Sequence, residues 1–196
     1  MTFGDLSRSR AEDAVETLLR YLGYDPSQHE GLEETPARVV ASLLELTSGT
    51  HEDPAVHLGR TFAADVNVDH VIAVRRIPFA ALCEHHLLPF TGTATVGYKP
   101  AEGARVVGLS KLARLVDVYA KRLTMQERMT EQITTAIEKN LDTEGAACVI
   151  RSAHQCMSLR GVQKVGASMV TSSMTGVFRS NSAMRAEFLD LERGVD

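Results

Sequence analysis

The chain has 196 residues, 44% of them apolar and 23% charged, which suits one soluble domain with a core of its own. A net charge of −4 and the absence of tryptophan argue against a nucleic-acid-binding surface. No signal peptide opens the chain and no apolar run is long enough to cross a bilayer, so a cytoplasmic protein without membrane contact is expected, its three cysteines in a reducing compartment and available for metal rather than disulfides.

Ala11 to Leu22 reads as an amphipathic helix, with Ala11, Ala14, Val15, Leu18 and Leu22 on one stripe. Thr35-Pro36 opens a second helix that turns Val39, Val40, Leu43 and Leu44 inward and stops near Gly49. From Phe62 the pattern changes to β. Val71–Ile77, Thr91–Tyr98 and a short Arg105–Leu109 predict strands. Ser110 starts a long helical region to about Asn140, broken near Leu123-Thr124-Met125. Ala146–His154 and Gly166–Phe178 return to β, and Ser182–Leu191 predicts a terminal helix. The order is that of an α+β fold with an antiparallel sheet: a helical extension over residues 1–60 and one compact unit over 61–196.

Two short stretches concentrate the soft ligands: Cys83-Glu84-His85-His86 and His154-Gln155-Cys156. A turn can present Cys83 and His86 to one ion. His154 and Cys156, two apart in a run that reads as a strand, would share a face. Zinc prefers sulfur and nitrogen donors, using four in a closed structural site and three in a catalytic one. A Cys83, His86, Cys156 set would leave His85 and His154 beside an open metal as proton-transfer groups. A closed site with His85 or His154 as fourth donor stays open as an alternative. Cys148 lies in the apolar run Ala147-Cys148-Val149 and reads as core, while His29, His51, His57 and His70 read as solvated.

Gly108-Leu109-Ser110-Lys111-Leu112-Ala113-Arg114 places two cations in the first turns of a helix, where the backbone dipole disfavours them. That arrangement suits an anion, with Ser110 capping the helix or donating its hydroxyl to a phosphate. Arg160, followed by Gly161, supplies another fork for phosphate. Gln126-Glu127 follows the helix break; a carboxylate there could read the N–H edge of a guanine, and an amide beside it could add a contact. Read alone, each of these also fits a solvated surface.

Together the motifs resemble one family. Cys-Glu-His-His-Leu-Leu-Pro-Phe, Gly-Leu-Ser-Lys-Leu-Ala-Arg, Gln-Glu-Arg-Met-Thr-Glu-Gln-Ile, His-Gln-Cys-Met-Ser-Leu-Arg-Gly-Val-Gln-Lys and Thr-Gly-Val-Phe-Arg look like GTP cyclohydrolase I, in order from about Ala11 to Leu191. The resemblance implies a tunnelling fold, with a four-stranded antiparallel sheet and a helical pair, assembled as a homodecamer with active sites at subunit interfaces. It implies hydrolysis of GTP to 7,8-dihydroneopterin triphosphate and formate, the first step of pterin and folate biosynthesis. It places Zn2+ on Cys83, His86 and Cys156 and makes His85, His154 and Ser110 catalytic. Lys111, Arg114, Arg160 and Arg38 fall on phosphate contacts, and Gln126 with Glu127 on the guanine-reading pair. Arg151-Ser152 and Phe79-Ala80-Ala81-Leu82 depart from the family pattern. Zinc-dependent base deamination is the rival chemistry, but its H-x-E and P-C-x-x-C signature is missing. A non-enzymatic nucleotide sensor would be expected to lose one of the proton-transfer histidines, and both are present.

Overall fold

The computed structural model describes residues 7–64 and 68–194, and the chain divides between Thr47 and Ser48 into two compact units. The first unit pairs α1 (Arg8–Tyr21) with α2 (Thr35–Leu46) through two 3-10 turns, Pro26–Gln28 and Glu30–Leu32. Ser7 caps α1 by accepting the Arg10 N–H, and Arg8–Glu12 and Arg20–Glu16 pair one turn apart along it. The expected apolar stripe forms but stays out of a core: α1 buries no residue, and Leu18 and Leu22 are more than half exposed. A unit of this size has too little interior to cover both helices.

The second unit begins earlier than residue 61. Its elements are α3 (Pro54–Leu58), β1 (Thr61–Phe62), β2 (Ile72–Cys83), β3 (Pro89–Pro100), β4 (Val106–Val107), α4 (Leu109–Ala120), β5 (Leu123–Thr124), α5 (Gln126–Asn140), β6 (Thr143–His154), α6 (Gln155–Ser158), β7 (Met169–Met174), α7 (Gly176–Ser180) and α8 (Ser182–Arg193). Leu58 is fully buried in the main core, and the Arg122 Nε–H donates to the Gly49 carbonyl at 2.9 Å. Those contacts tie Ser48–Arg60 to this unit.

The sheet order is β5-β2-β3-β6-β7. β2, β3, β6 and β7 are antiparallel, as expected, and β5 adds two parallel residues at the edge, pairing Leu82 with Leu123 and Cys83 with Thr124. That pairing anchors the start of α5 beside Cys83. Strand alternation divides the core between the sheet's two faces. Ala146, Cys148 and Ile150 of β6 join Phe90, Val96 and Tyr98 in the cluster that contains Leu112, Leu115, Met129 and Ile133 of α4 and α5. Ala147 and Val149 point the other way, into a smaller cluster with Phe178 and Phe188 of α7 and α8. Cys148 is fully buried, and burial pushes its thiol pKa well up, so it is core.

Three sequence expectations are corrected here. The strand expected at Arg105–Leu109 is only Val106–Val107, which pairs with β1 outside the main sheet. The strand expected over Gly166–Phe178 is confined to Met169–Met174, because Phe178 is taken up by α7, which packs it edge-on against Phe188. Ser110 does not cap α4: Gly108 is the N-cap, and no side chain bonds the free N–H groups.

Close packing of β3 on β6 yields a stability prediction. A Cβ at Gly92 would meet the Arg151 carbonyl oxygen at 1.9 Å and the Ser152 Cβ at 2.7 Å. Gly92→Ala must therefore push apart the two central strands. It is expected to lower stability by about 1–3 kcal/mol or more, read as a shift in the denaturation midpoint at fixed protein concentration. An unchanged midpoint would refute the tight packing.

Candidate metal centre

Cys83 closes β2 and enters a tight turn. Its carbonyl accepts N–H bonds from His86 and Leu87 at 3.2 and 2.9 Å, and its N–H donates to the Leu88 carbonyl at 2.9 Å. Leu87 adopts the left-handed region, φ 54°, which lets the chain reverse directly into β3. The reversal brings His85 Nδ1 and His86 Nδ1 to 3.8 and 3.7 Å from Cys83 Sγ. Glu84 in the same turn is held by the Arg128 guanidinium at 2.5 Å, which keeps its carboxyl below the usual range.

The second stretch is arranged differently from the expectation. β6 ends at His154, and Gln155–Ser158 forms a helical turn, so His154 and Cys156 do not share a strand face. The turn carries Cys156 to the first stretch, while His154 remains against the sheet. The donor atoms of Cys83, His86 and Cys156 all lie within 4.8 Å of one another. Tetrahedral zinc, with sulfur at about 2.3 Å and nitrogen at about 2.0 Å, sets ligands roughly 3.3–3.8 Å apart. The Cys83–His86 separation of 3.7 Å already fits, and the three donors together suit this ion in chemistry.

Burial and the neighbouring Cys83 hold the Cys156 thiol above its ordinary pKa, while the Arg160 guanidinium pulls it down. Two thiols this close resist ionising together, and a cation between them removes that resistance. Cys83 is buried, Cys156 half-buried and His86 exposed, so the cluster opens to solvent on one side.

His154 stacks on Phe90, with ring centroids 4.5 Å apart and planes 3° from parallel. Its Nε2 lies 3.0 Å from Gln126 Oε1. Burial lowers its pKa, and the Glu127 carboxylate opposes that effect. Gln126 itself is wholly buried. Phe90, Ser152 and Thr171 complete the surroundings of His154 and Gln126. Sequence reasoning assigned them no role, and no local pattern could have done so, since they converge only through the sheet register.

The phosphate candidates divide into two groups. Arg160 acts on Cys156 and therefore lies beside the cluster. Ser110, Lys111 and Arg114 do not. Tyr98 Oη accepts the Val107 N–H at 3.0 Å, which sets the start of α4 at the Tyr98 end of β3. The cluster is at the Phe90 end, where Phe90 pairs with His154. Eight strand residues, at about 3.3 Å each, put roughly 25 Å between the two ends. No lysine or arginine side chain spans that gap. Lys111 and Arg114 have no salt-bridge partner among the described residues. Arg38 belongs to the first unit and pairs with Glu34.

Two thiols and an imidazole at a sheet end, with further imidazoles beside them, form a site that can hold a metal. Residues 11–193 match the model of the GTP cyclohydrolase I family. A protein named GTP cyclohydrolase 1 from Corynebacterium glutamicum is 46% identical over 190 residues, covering 97% of this chain and 95% of its own length. One of the same name from Mycolicibacterium paratuberculosis is 48% identical over 184 residues, covering 94% and 89%. A third, from Mycobacteroides abscessus, is 47% identical over 184 residues, with the same coverage. The chain belongs to the GTP cyclohydrolase I family and is an enzyme of that type.

Proposed function

We propose that the protein is a zinc-dependent hydrolase that converts GTP and water to 7,8-dihydroneopterin triphosphate and formate. The observation that carries this reading is the convergence of Cys83, His86 and Cys156, with His85 and His154 beside them. Zinc held there supplies Lewis acidity, lowering the pKa of a water toward neutrality.

The chain's own groups do the rest. His154 delivers a proton to guanine N7, which makes C8 open to attack by water. Glu127 accepts N–H bonds from the guanine edge, so that the base lies across the site rather than along it. His85 moves protons in the later steps, when the opened ribose rearranges and the second ring closes. Histidine suits both tasks because its ordinary pKa lies near the working pH. Arg160 holds the triphosphate together with Lys111, Arg114 and the Ser110 hydroxyl of a neighbouring copy, with Arg38 as a further contact. Holding the nucleotide by both ends places C8 where the chemistry occurs.

The roughly 25 Å separation supports a shared site. A second copy brings its Ser110, Lys111 and Arg114 to this chain's cluster, in a homo-oligomer of the decameric, tunnelling-fold type. No described helix is long and apolar enough to cross a membrane. A dissolved nucleotide as substrate suits an enzyme of the cytoplasm.

Incubation with GTP should yield a pterin that fluoresces after oxidation, together with one formate per nucleotide. A chelator should stop it and added zinc should restore it. Pterin formation that survives complete metal removal would overturn the zinc dependence, and none under any condition would overturn the function.

A further inference from the structure

We infer that Gln126 is a positioning residue whose buried amide dictates which nitrogen of His154 exchanges protons, and not a reader of the substrate base. Gln126 is 0% exposed, although it is the first residue of α5. Its side-chain nitrogen donates to the Ile150 carbonyl at 3.1 Å, the Met169 carbonyl at 3.3 Å and Thr171 Oγ1 at 3.0 Å. Two of those partners are backbone oxygens, which can only accept. The amide therefore cannot be turned over, and Oε1 must face the other way.

On that side Oε1 takes the Ser152 hydroxyl at 2.5 Å and meets His154 Nε2 at 3.0 Å. An amide oxygen only accepts, so Nε2 carries the hydrogen. The neutral ring is then held with its lone pair on Nδ1. Stacking on Phe90 fixes the plane of the ring, and the Gln126 acceptor selects the nitrogen that faces it, since a flipped ring would turn a C–H toward Oε1. Among the described residues Nδ1 has no protein partner. Proton traffic at His154 runs through Nδ1. A base reader needs an amide face presented to the base, whereas both N–H groups and the oxygen of Gln126 are engaged by the protein. The inference rests on the proposed function only in giving His154 a proton-transfer role.

The test combines a spectrum with kinetics. Holoenzyme labelled with 15N at histidine is examined at a pH where imidazole is neutral, and the His154 signal is identified as the one missing from His154→Asn. The unmodified protein should show His154 as the Nε2–H form. Gln126→Met, similar in volume but without a polar group, should give a mixture of the two forms. Its kcat should fall roughly tenfold or more, a part of what a general acid–base group contributes, while KM for GTP moves less than about twofold. Gln126→Glu keeps an acceptor opposite Nε2 and should keep the Nε2–H form. If neither variant folds, the spectrum of the unmodified protein still decides, because it reads directly which nitrogen of His154 carries the hydrogen.

An Nδ1–H ring in the unmodified protein would overturn the inference. So would a tenfold or larger rise in KM with kcat preserved in either variant. The spectrum needs no substrate, so failure of the protein to process GTP would remove the proposed function without touching this result.

Discussion

Cys156→Ala is expected to lose metal and turnover together. The cluster has three donors within 4.8 Å of each other, and removing one leaves two, too few to hold an ion against water. Metal affinity should drop by more than about 100-fold, since even partners outside the ligand shell are worth 10–100-fold. Cys83→Ala should behave alike. His154→Ala is the contrast. Its ring faces Gln126 rather than the cluster, so the variant should keep stoichiometric metal while turnover falls roughly 10²–10⁴-fold. His85→Ala should also keep metal and stall after the base has opened, accumulating a formamide. Elemental analysis beside pterin fluorescence separates these outcomes. Stoichiometric metal in both cysteine variants would sink the ligand assignment, and metal loss in His154→Ala would make the centre a closed one.

Mixing two inactive variants is expected to restore activity. Lys111→Ala removes a cation from the start of α4, and Cys156→Ala removes one of the three converging donors at the opposite end of the sheet. If each active site takes its metal cluster from one chain and its cations from a neighbour, co-expression creates sites with both halves intact. Random assembly of equal amounts should make about a quarter of the sites whole. Each variant alone should stay close to background, because every one of its sites lacks the same part. Differently tagged chains, purified through both tags, ensure that mixed assemblies are measured. Recovery of nothing above the two separate activities would mean that the cations and the metal serve one chain's site, or that α4 does not bind the triphosphate.

Much of the fold is legible in the sequence wherever one physical signal dominates. Ala146–Ile150 of β6 is apolar on both faces because helices cover both, and the strand expected at Ala146–His154 falls within the observed Thr143–His154. The break near Leu123-Thr124-Met125 is equally clear, and it is where β5 forms. Boundaries were lost where neighbours decide. Gly176–Ser180 resembles the end of a strand, yet Phe178 gains a partner in Phe188 only if the chain coils there. Likewise, Cys156 lies two residues past His154, and nothing local separates a continuing strand from a helical turn. Cys83, His86 and Cys156 converge all the same, because a helical turn also brings the Cys156 sulfur to Cys83.

Sequence alone determined the clusters of soft donors, the imidazoles beside them, the paired cations at a helix start and the membership of an α+β class. These are properties of short stretches, in which residue identity and spacing carry the chemistry. The tertiary structure decided how the pieces divide. It placed Lys111 and Arg114 at the far end of β3 from the cluster. It also buried Gln126, among partners 24 to 45 residues away, as the acceptor for His154. Both outcomes depend on strand register and on which side of the sheet a helix starts, and those are set by packing over the whole core rather than by any local run of residues.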